Sequence, residues 1–105
     1  MNSFGFNIQN DQNDPINPDH YRQSVYQTIE KLMIKYGPKK VRTFCLLNAD
    51  KYIDRAGAKG DRATDLKKAD WYLELAWDLD GAESIADGMD RLLDFLERAQ
   101  GKNDQ

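Results

Sequence analysis

The stretch NADKYIDRAGAKGD, residues 48–61, decides how this 105-residue chain folds. Up to Arg55 it keeps a helical period, and then Gly57 and Gly60 punctuate a tight turn before a new helix starting near Ala63 or Thr64. At roughly 100° per residue, Val41, Phe44, Cys45, Ala49, Tyr52, Ile53 and Ala56 fill one broad arc of the first of these helices. Asn48 falls inside that arc, while Lys51 and Arg55 lie along one edge. Burying an amide without partners costs about 1–3 kcal/mol. Asn48 therefore needs a partner, either within the fold (a side chain of the next helix or a backbone carbonyl) or in a bound ligand.

Working outward, the same periodicity predicts four helices. The first runs from Ser24, as N-cap, to Tyr36, with Val25, Ile29, Leu32, Met33 and Tyr36 on its apolar face, and Gly37-Pro38 ends it. The second spans about 39–56. The third, about 64–79, carries two apolar stripes, one of Leu66, Ala69, Leu73, Ala76 and Trp77, the other of Trp71, Tyr72, Leu75 and Leu79. A helix apolar on two sides is expected to be buried from two sides, within the domain or by a partner chain. After Asp80-Gly81, a fourth helix over 82–99 sets Ile85, Met89, Leu92 and Leu96 in line, with Glu83, Asp87, Asp90, Asp94 and Glu97 opposite. Residues 1–18 show no period and read as a flexible arm, whose Phe4, Phe6 and Ile8 can dock on a neighbouring subunit, and 101–105 read as a disordered tail. The expected architecture is all-α, a compact four-helix domain over 19–100 with a flexible N-terminal arm.

Composition narrows the function classes. No apolar run approaches the roughly 20 residues of a membrane span, the first residues lack the pattern of a signal peptide, and the one cysteine, Cys45, sits in an apolar helical pattern that favours a buried thiol. These features point to a cytoplasmic protein with no membrane partner. The net charge of −3 is uneven: residues 22–68 hold twelve Lys/Arg against five Asp/Glu, a local +7, and residues 69–100 hold two against nine, a local −7. Such asymmetry steers an anionic ligand to one half or pairs copies of the chain head to tail. An overall acidic chain is not the profile of a binder of polymeric DNA or RNA.

The turn after the second helix is where an anion fits best. Its glycines permit close backbone approach, Lys59 sits between them, and the free N–H groups at the start of the third helix favour negative charge. Arg55, Lys59, Lys67 and Lys68 can all lie near that point, and Asn48 and Lys51 can orient a ligand held there. The pattern GxxxxGK[ST] is absent, so this is no Walker A loop. Asp61 and Asp65 are the only acids close enough to anchor Mg²⁺ or orient a hydroxyl. Asp65 can equally complement the helix dipole. His20, the lone histidine, suits a general base or phosphate ligand, or a hydrogen bond that fixes the start of the first helix. Trp71 and Tyr72 can stack a base or simply fill the core. Asp70, Glu74 and Asp78, four apart, together with Glu83 or Asp87, suggest a Mg²⁺-dependent nucleotide pyrophosphohydrolase, but the ExxE…ExxD pattern of those enzymes is missing and a solvated face accounts for them. No resident metal site is expected from one His and one Cys.

These residues also carry a family resemblance. "NPDHY" (17–21), "FCLLNADKYIDRAGAKGD" (44–61) and "DLKKADWYLELA" (65–76) are similar to the motifs NxPxHY, FCxGNAxKYxxRAGxKG and DLKKAxWYL of the SaV-like proteins of tailed bacteriophages. The resemblance covers about residues 15–79. It implies a nucleotide-related function, since some members are phage kinases that phosphorylate deoxynucleoside monophosphates with ATP and Mg²⁺ but no P-loop. Others are targets through which host abortive-infection systems sense phage. Carried over by matching motif, the implicated positions are His20, Tyr21, Asn48, Lys51, Tyr52, Arg55, Lys59, Asp65, Lys68, Trp71 and Tyr72. Leu47 stands where the family has glycine, a change that can close the space beside Asn48, and Asp50 and Asp54 replace apolar residues. The expectation is a homo-oligomeric phage protein of the host cytoplasm that binds a nucleotide or nucleotide-like phosphate ligand, either as a kinase or as a non-catalytic counter-defence protein. The latter would sequester a nucleotide signal or contact a host defence protein.

Overall fold

Four helices follow one another along the chain: α1 (Pro18–Tyr36), α2 (Pro38–Arg55), α3 (Arg62–Asp78) and α4 (Ile85–Asn103). The computed structural model describes residues 18–58 and 60–103, with side chains from Ser24 to Ala99 except Lys59. The expectations for the N-terminal arm, for the side chains of His20 and Tyr21, for Lys59 and for the last two residues lie outside the described residues. Within them the fold is all-α, with no strand. Its radius of gyration of 13.5 Å is close to the about 13 Å of a folded chain of about 100 residues.

The helix ends follow from local chemistry. α1 begins at Pro18, well before Ser24, because proline's missing N–H costs nothing in the first turn. Ser24 is therefore interior, its carbonyl accepting from Thr28 Oγ1 at 3.3 Å. α3 starts at Arg62, capped by Asp61, whose Oδ1 accepts the Ala63 N–H at 3.3 Å while Oδ2 accepts from Thr64 Oγ1 at 2.6 Å. Thr64 is thus inside the helix and supports its cap. Ser84 caps α4 in the same manner, its Oγ accepting the Asp87 N–H at 3.0 Å, and that helix continues through Asn103, into the expected tail. In the α2–α3 turn Gly57 and Gly60 adopt φ of 85° and 75°, a region that costs other residues strain.

α2 and α3 form the most extensive pair in the fold. Val41, Cys45, Ala49 and Tyr52 of α2 share one core with Ala69, Tyr72, Leu75 and Ala76 of α3 and its C-cap Leu79, and Val25, Ile29 and Met33 of α1 with Leu92 and Phe95 of α4 complete it. α4 comes so close to the α1–α2 junction at Gly88 that a Cβ there would lie 2.6 Å from Met33 Sδ and 3.0 Å from Pro38 Cβ. Arg91 reaches across to α3, its Nη1 donating to the carbonyls of Asp78 at 3.1 Å and Asp80 at 2.7 Å. It thereby satisfies acceptors that a helix C-terminus leaves open.

Several assignments of burial need correction, beginning with Tyr36 of α1, expected on the apolar face and 50% exposed. In α3 the Tyr72 stripe packs inward, but in the other stripe only Ala69 and Ala76 are buried, while Leu73 is 41% and Trp77 81% exposed. In α2, Ile53 lies on the rim of the arc at 47% exposure. In α4 the fourth-helix ladder omits Phe95, which is buried against Trp71, whereas Ile85 is exposed.

Candidate functional site

The edge of α2 that carries Asn48, Lys51 and Arg55 faces the same side of the helix pair as Lys68 of α3, and Tyr52 lies between them. Tyr52 is buried and stacks nearly parallel on Tyr72, with ring centroids 6.0 Å apart. Around its ring, Lys51 Nζ lies 4.7 Å, Arg55 Cζ 5.3 Å and Lys68 Nζ 5.4 Å from the centroid. Each of the three approaches is within cation–π range. The four residues come from two helices and are brought together by the glycine turn.

One carboxylate enters this group. Asp65, in the first turn of α3 and only 3% exposed, sits across the turn from Arg55. Arg55 Nε donates to its Oδ2 at 3.4 Å and Nη2 lies 3.3 Å from Oδ1, a two-pronged pairing that fixes the guanidinium plane. Lys51 has no such counter-charge among the described residues. Its ammonium is held below the ordinary lysine pKa, first by partial loss of solvent over the ring and then by the charges of Arg55 and Lys68. The cations that lower the proton affinity of Lys51 can attract an anion in common with it.

The remaining candidates are placed as follows. Asn48 is half-buried and its Nδ2 donates to the Phe44 carbonyl at 3.1 Å, so the backbone of its own helix supplies one partner. Leu47 is 63% exposed, one turn before Lys51 on α2. Tyr72 is fully buried, with Phe44 and Trp71 edge-on to it at 6.4 Å and 5.3 Å. Trp71 is half-buried and also meets Phe95 edge-on at 5.2 Å, and its buried Nε1 finds no acceptor among the described residues. Phe95 as a support for Trp71 is not marked in the sequence, because it falls beside the α4 ladder rather than on it.

The two acids near the turn are both engaged. Asp61 caps α3, and its carboxyl is held below the usual range chiefly by the Thr64 hydroxyl. Asp65 is committed to Arg55. No group of three potential metal ligands occurs among the described residues. The acids of the pyrophosphohydrolase alternative are dispersed: Asp70 is exposed, Asp78 pairs with Arg98, and Asp87 pairs with Arg91 at 3.2 Å.

Residues 16–74, more than half of the chain, match the family described as "Protein of unknown function (DUF3310)". The chain belongs to this family. The DUF3310 match spans α1, α2 and most of α3, and so contains the whole Lys51–Tyr52–Arg55–Asp65–Lys68 group, while α4 lies beyond it. No curated protein and no solved structure matches the chain. No described helix is long and apolar enough to cross a membrane.

Proposed function

We infer that this DUF3310 protein binds a nucleotide or nucleotide-like phosphate ligand on the face formed by Lys51, Arg55 and Lys68. The observation that carries it is the convergence of three cations, from two helices, on the ring of Tyr52, with a single buried carboxylate among them. Structural ion pairing with Asp65 accounts for Arg55. It leaves Lys51 crowded by like charges at a cost to the free protein, which a phosphate would relieve. Lys59 is a further cation between Gly57 and Gly60 in the sequence. The motif resemblance to SaV-like phage proteins supports a phage protein acting on nucleotides in the host cytoplasm, assembled as a homo-oligomer.

Within that reading, binding without turnover is favoured over a deoxynucleoside monophosphate kinase. Phosphoryl transfer rests on positioning and charge neutralisation, usually with Mg²⁺ held by protein carboxylates. Of the two acids close to the turn, Asp65 is buried against Arg55 and Asp61 serves as the cap of α3. A counter-defence role, by sequestering a nucleotide signal or by contacting a host defence protein, fits this arrangement.

The test incubates the purified protein with ATP, Mg²⁺ and each dNMP while following dNDP formation, and in parallel measures thermal stabilisation by each nucleotide. Stabilisation without dNDP selects the binding role, and dNDP formation selects the kinase. Absence of both removes the nucleotide assignment.

A further inference from the structure

Resting on the homo-oligomer proposed above, we propose that two copies of this chain pair through the exposed stripe Leu66–Leu73–Trp77 of α3, with the two α3 helices antiparallel. Leu73 is 41% and Trp77 81% exposed, one turn apart, and Leu66 is half-buried two turns before Leu73. Ala69 and Ala76, the small residues of the same stripe, face the core of the single chain. At about 100° per residue, Trp77 lies about 180° around α3 from Lys68, and Ile53, 47% exposed, lies about 160° around α2 from Lys51. The apolar flank of the α2–α3 pair is therefore opposite its basic face, and no described element covers Leu73 or Trp77.

The charge order along α3 favours a second copy as the cover. Arg62 and Lys67, both exposed, belong to its first turns, and Asp78 and Asp80 mark its end. Asp78 pairs with Arg98, whereas Asp80, 3.6 Å from Arg42, keeps its side chain 70% exposed. Two such helices side by side in parallel set like charge on like. In antiparallel order the basic start of each meets the acidic end of the other, and the backbone dipoles oppose favourably. With Leu66 of one copy level with Trp77 of the other, the two Leu73 side chains flank the axis and Arg62 comes level with the turn at Asp80. Each copy uses the same surface, so the pair closes on itself, and both basic faces point outward. Asp70, exposed between Leu66 and Leu73 on the same side of α3, keeps the apolar contact short. A contact of this length belongs to the small class of interfaces, below about 1,200 Å² in total, so the pair is expected to be half-formed at about 10–100 µM and apart at submicromolar concentration.

The experiment is sedimentation velocity of the full chain from about 1 to about 300 µM, beside Trp77→Lys and Leu73→Lys. Both positions are exposed, so the variants are expected to keep the parent's melting temperature at low concentration. The parent is expected to double in mass across the range, and Trp77→Lys to raise the dissociation constant about tenfold or more. A bis-maleimide of about 10 Å span is expected to link two copies of Leu73→Cys and not two copies of Arg62→Cys, whose positions lie about 28 Å apart along the antiparallel axis. A parent that stays monomeric at the top of the range overturns the surface and the homo-oligomer together. Association that both lysine variants leave untouched overturns the surface while the homo-oligomer stands, and linking of Arg62→Cys overturns the antiparallel order. Nucleotide stabilisation tests the opposite face and succeeds or fails independently of this result.

Discussion

Arg55 of α2 and Asp65 of α3 close the helix pair across its glycine turn, with two nitrogen–oxygen contacts of 3.3 and 3.4 Å between a half-exposed guanidinium and a buried carboxylate. The asymmetry of burial decides what each substitution does. Arg55→Ala strands a carboxylate that cannot reach water, at a cost of about 2 kcal/mol. Asp65→Asn leaves Arg55 free to turn into solvent and costs about half as much. Replacing both, Arg55→Met with Asp65→Leu, recovers most of the stability, because apolar residues of similar size need no counter-charge. Urea unfolding of the three variants checks the order. The double variant is also expected to lose phosphate binding despite its restored fold.

Lys51 carries the opposite balance. Its folded-state pKa is lowered, so the charged form is disfavoured by folding below that pKa and the strain is relieved as pH rises through it. Lys51→Gln is therefore expected to raise the stability of the free protein at pH 7 slightly, by less than about 1 kcal/mol since the group is largely solvent-screened. The same variant weakens phosphate binding. Thermal melts with and without a bound nucleotide give both readings, and a variant less stable than the parent would show that the cations do not strain one another.

Gly88 is expected to tolerate no side chain. Alanine would gain about 1 kcal/mol of helix propensity, but its Cβ meets Met33 Sδ and the ring of Pro38, which holds the start of α2. The sulfur can swing aside; the proline ring cannot. Overpacking of this kind costs about 1–3 kcal/mol, so the net expectation for Gly88→Ala is a lower melting temperature. A rise would mean that α4 can slide away from the α1–α2 junction.

Cys45 is fully buried, and burial pushes its thiol up from 9.0 to about 12. A raised folded pKa means stability that is intact below the ordinary thiol value and is lost as pH climbs from about 9 toward 12. Relative to Cys45→Ala, the parent protein is expected to lose stability across that window and nowhere below it. A thiol reagent at pH 8 is expected to label Cys45 only when denaturant opens the fold. Prompt labelling of the native protein would place the α2–α3 seam in exchange with an open form.

Much of this was legible in the residues. The breaks at Gly37-Pro38, Gly57 and Asp80-Gly81 are covalent facts about backbone freedom, and they fall at or beside the observed helix ends. The clustering of Lys51 and Arg55 follows from one-turn spacing on a single helix. The role of Asp65 did not follow, because its partner lies on another helix and either end of the turn offered a role for a carboxylate. Asp61 is a cap only because the helix begins at Arg62, and boundaries are where periodicity says least. Trp77 shows a different limit: apolar spacing identifies which residues share a face, and only the neighbouring helices decide whether that face is covered.

That uncovered position has a practical consequence, because the chain carries two tryptophans six residues apart on α3 in opposite surroundings. Trp77 is bathed in solvent, and Trp71 is wedged between Tyr72 and Phe95 on the side of the helix that bears Lys68. A soluble collisional quencher should therefore silence the first indole and leave the second shining. The protein thus holds its own optical reporter beside the basic face, readable without a label.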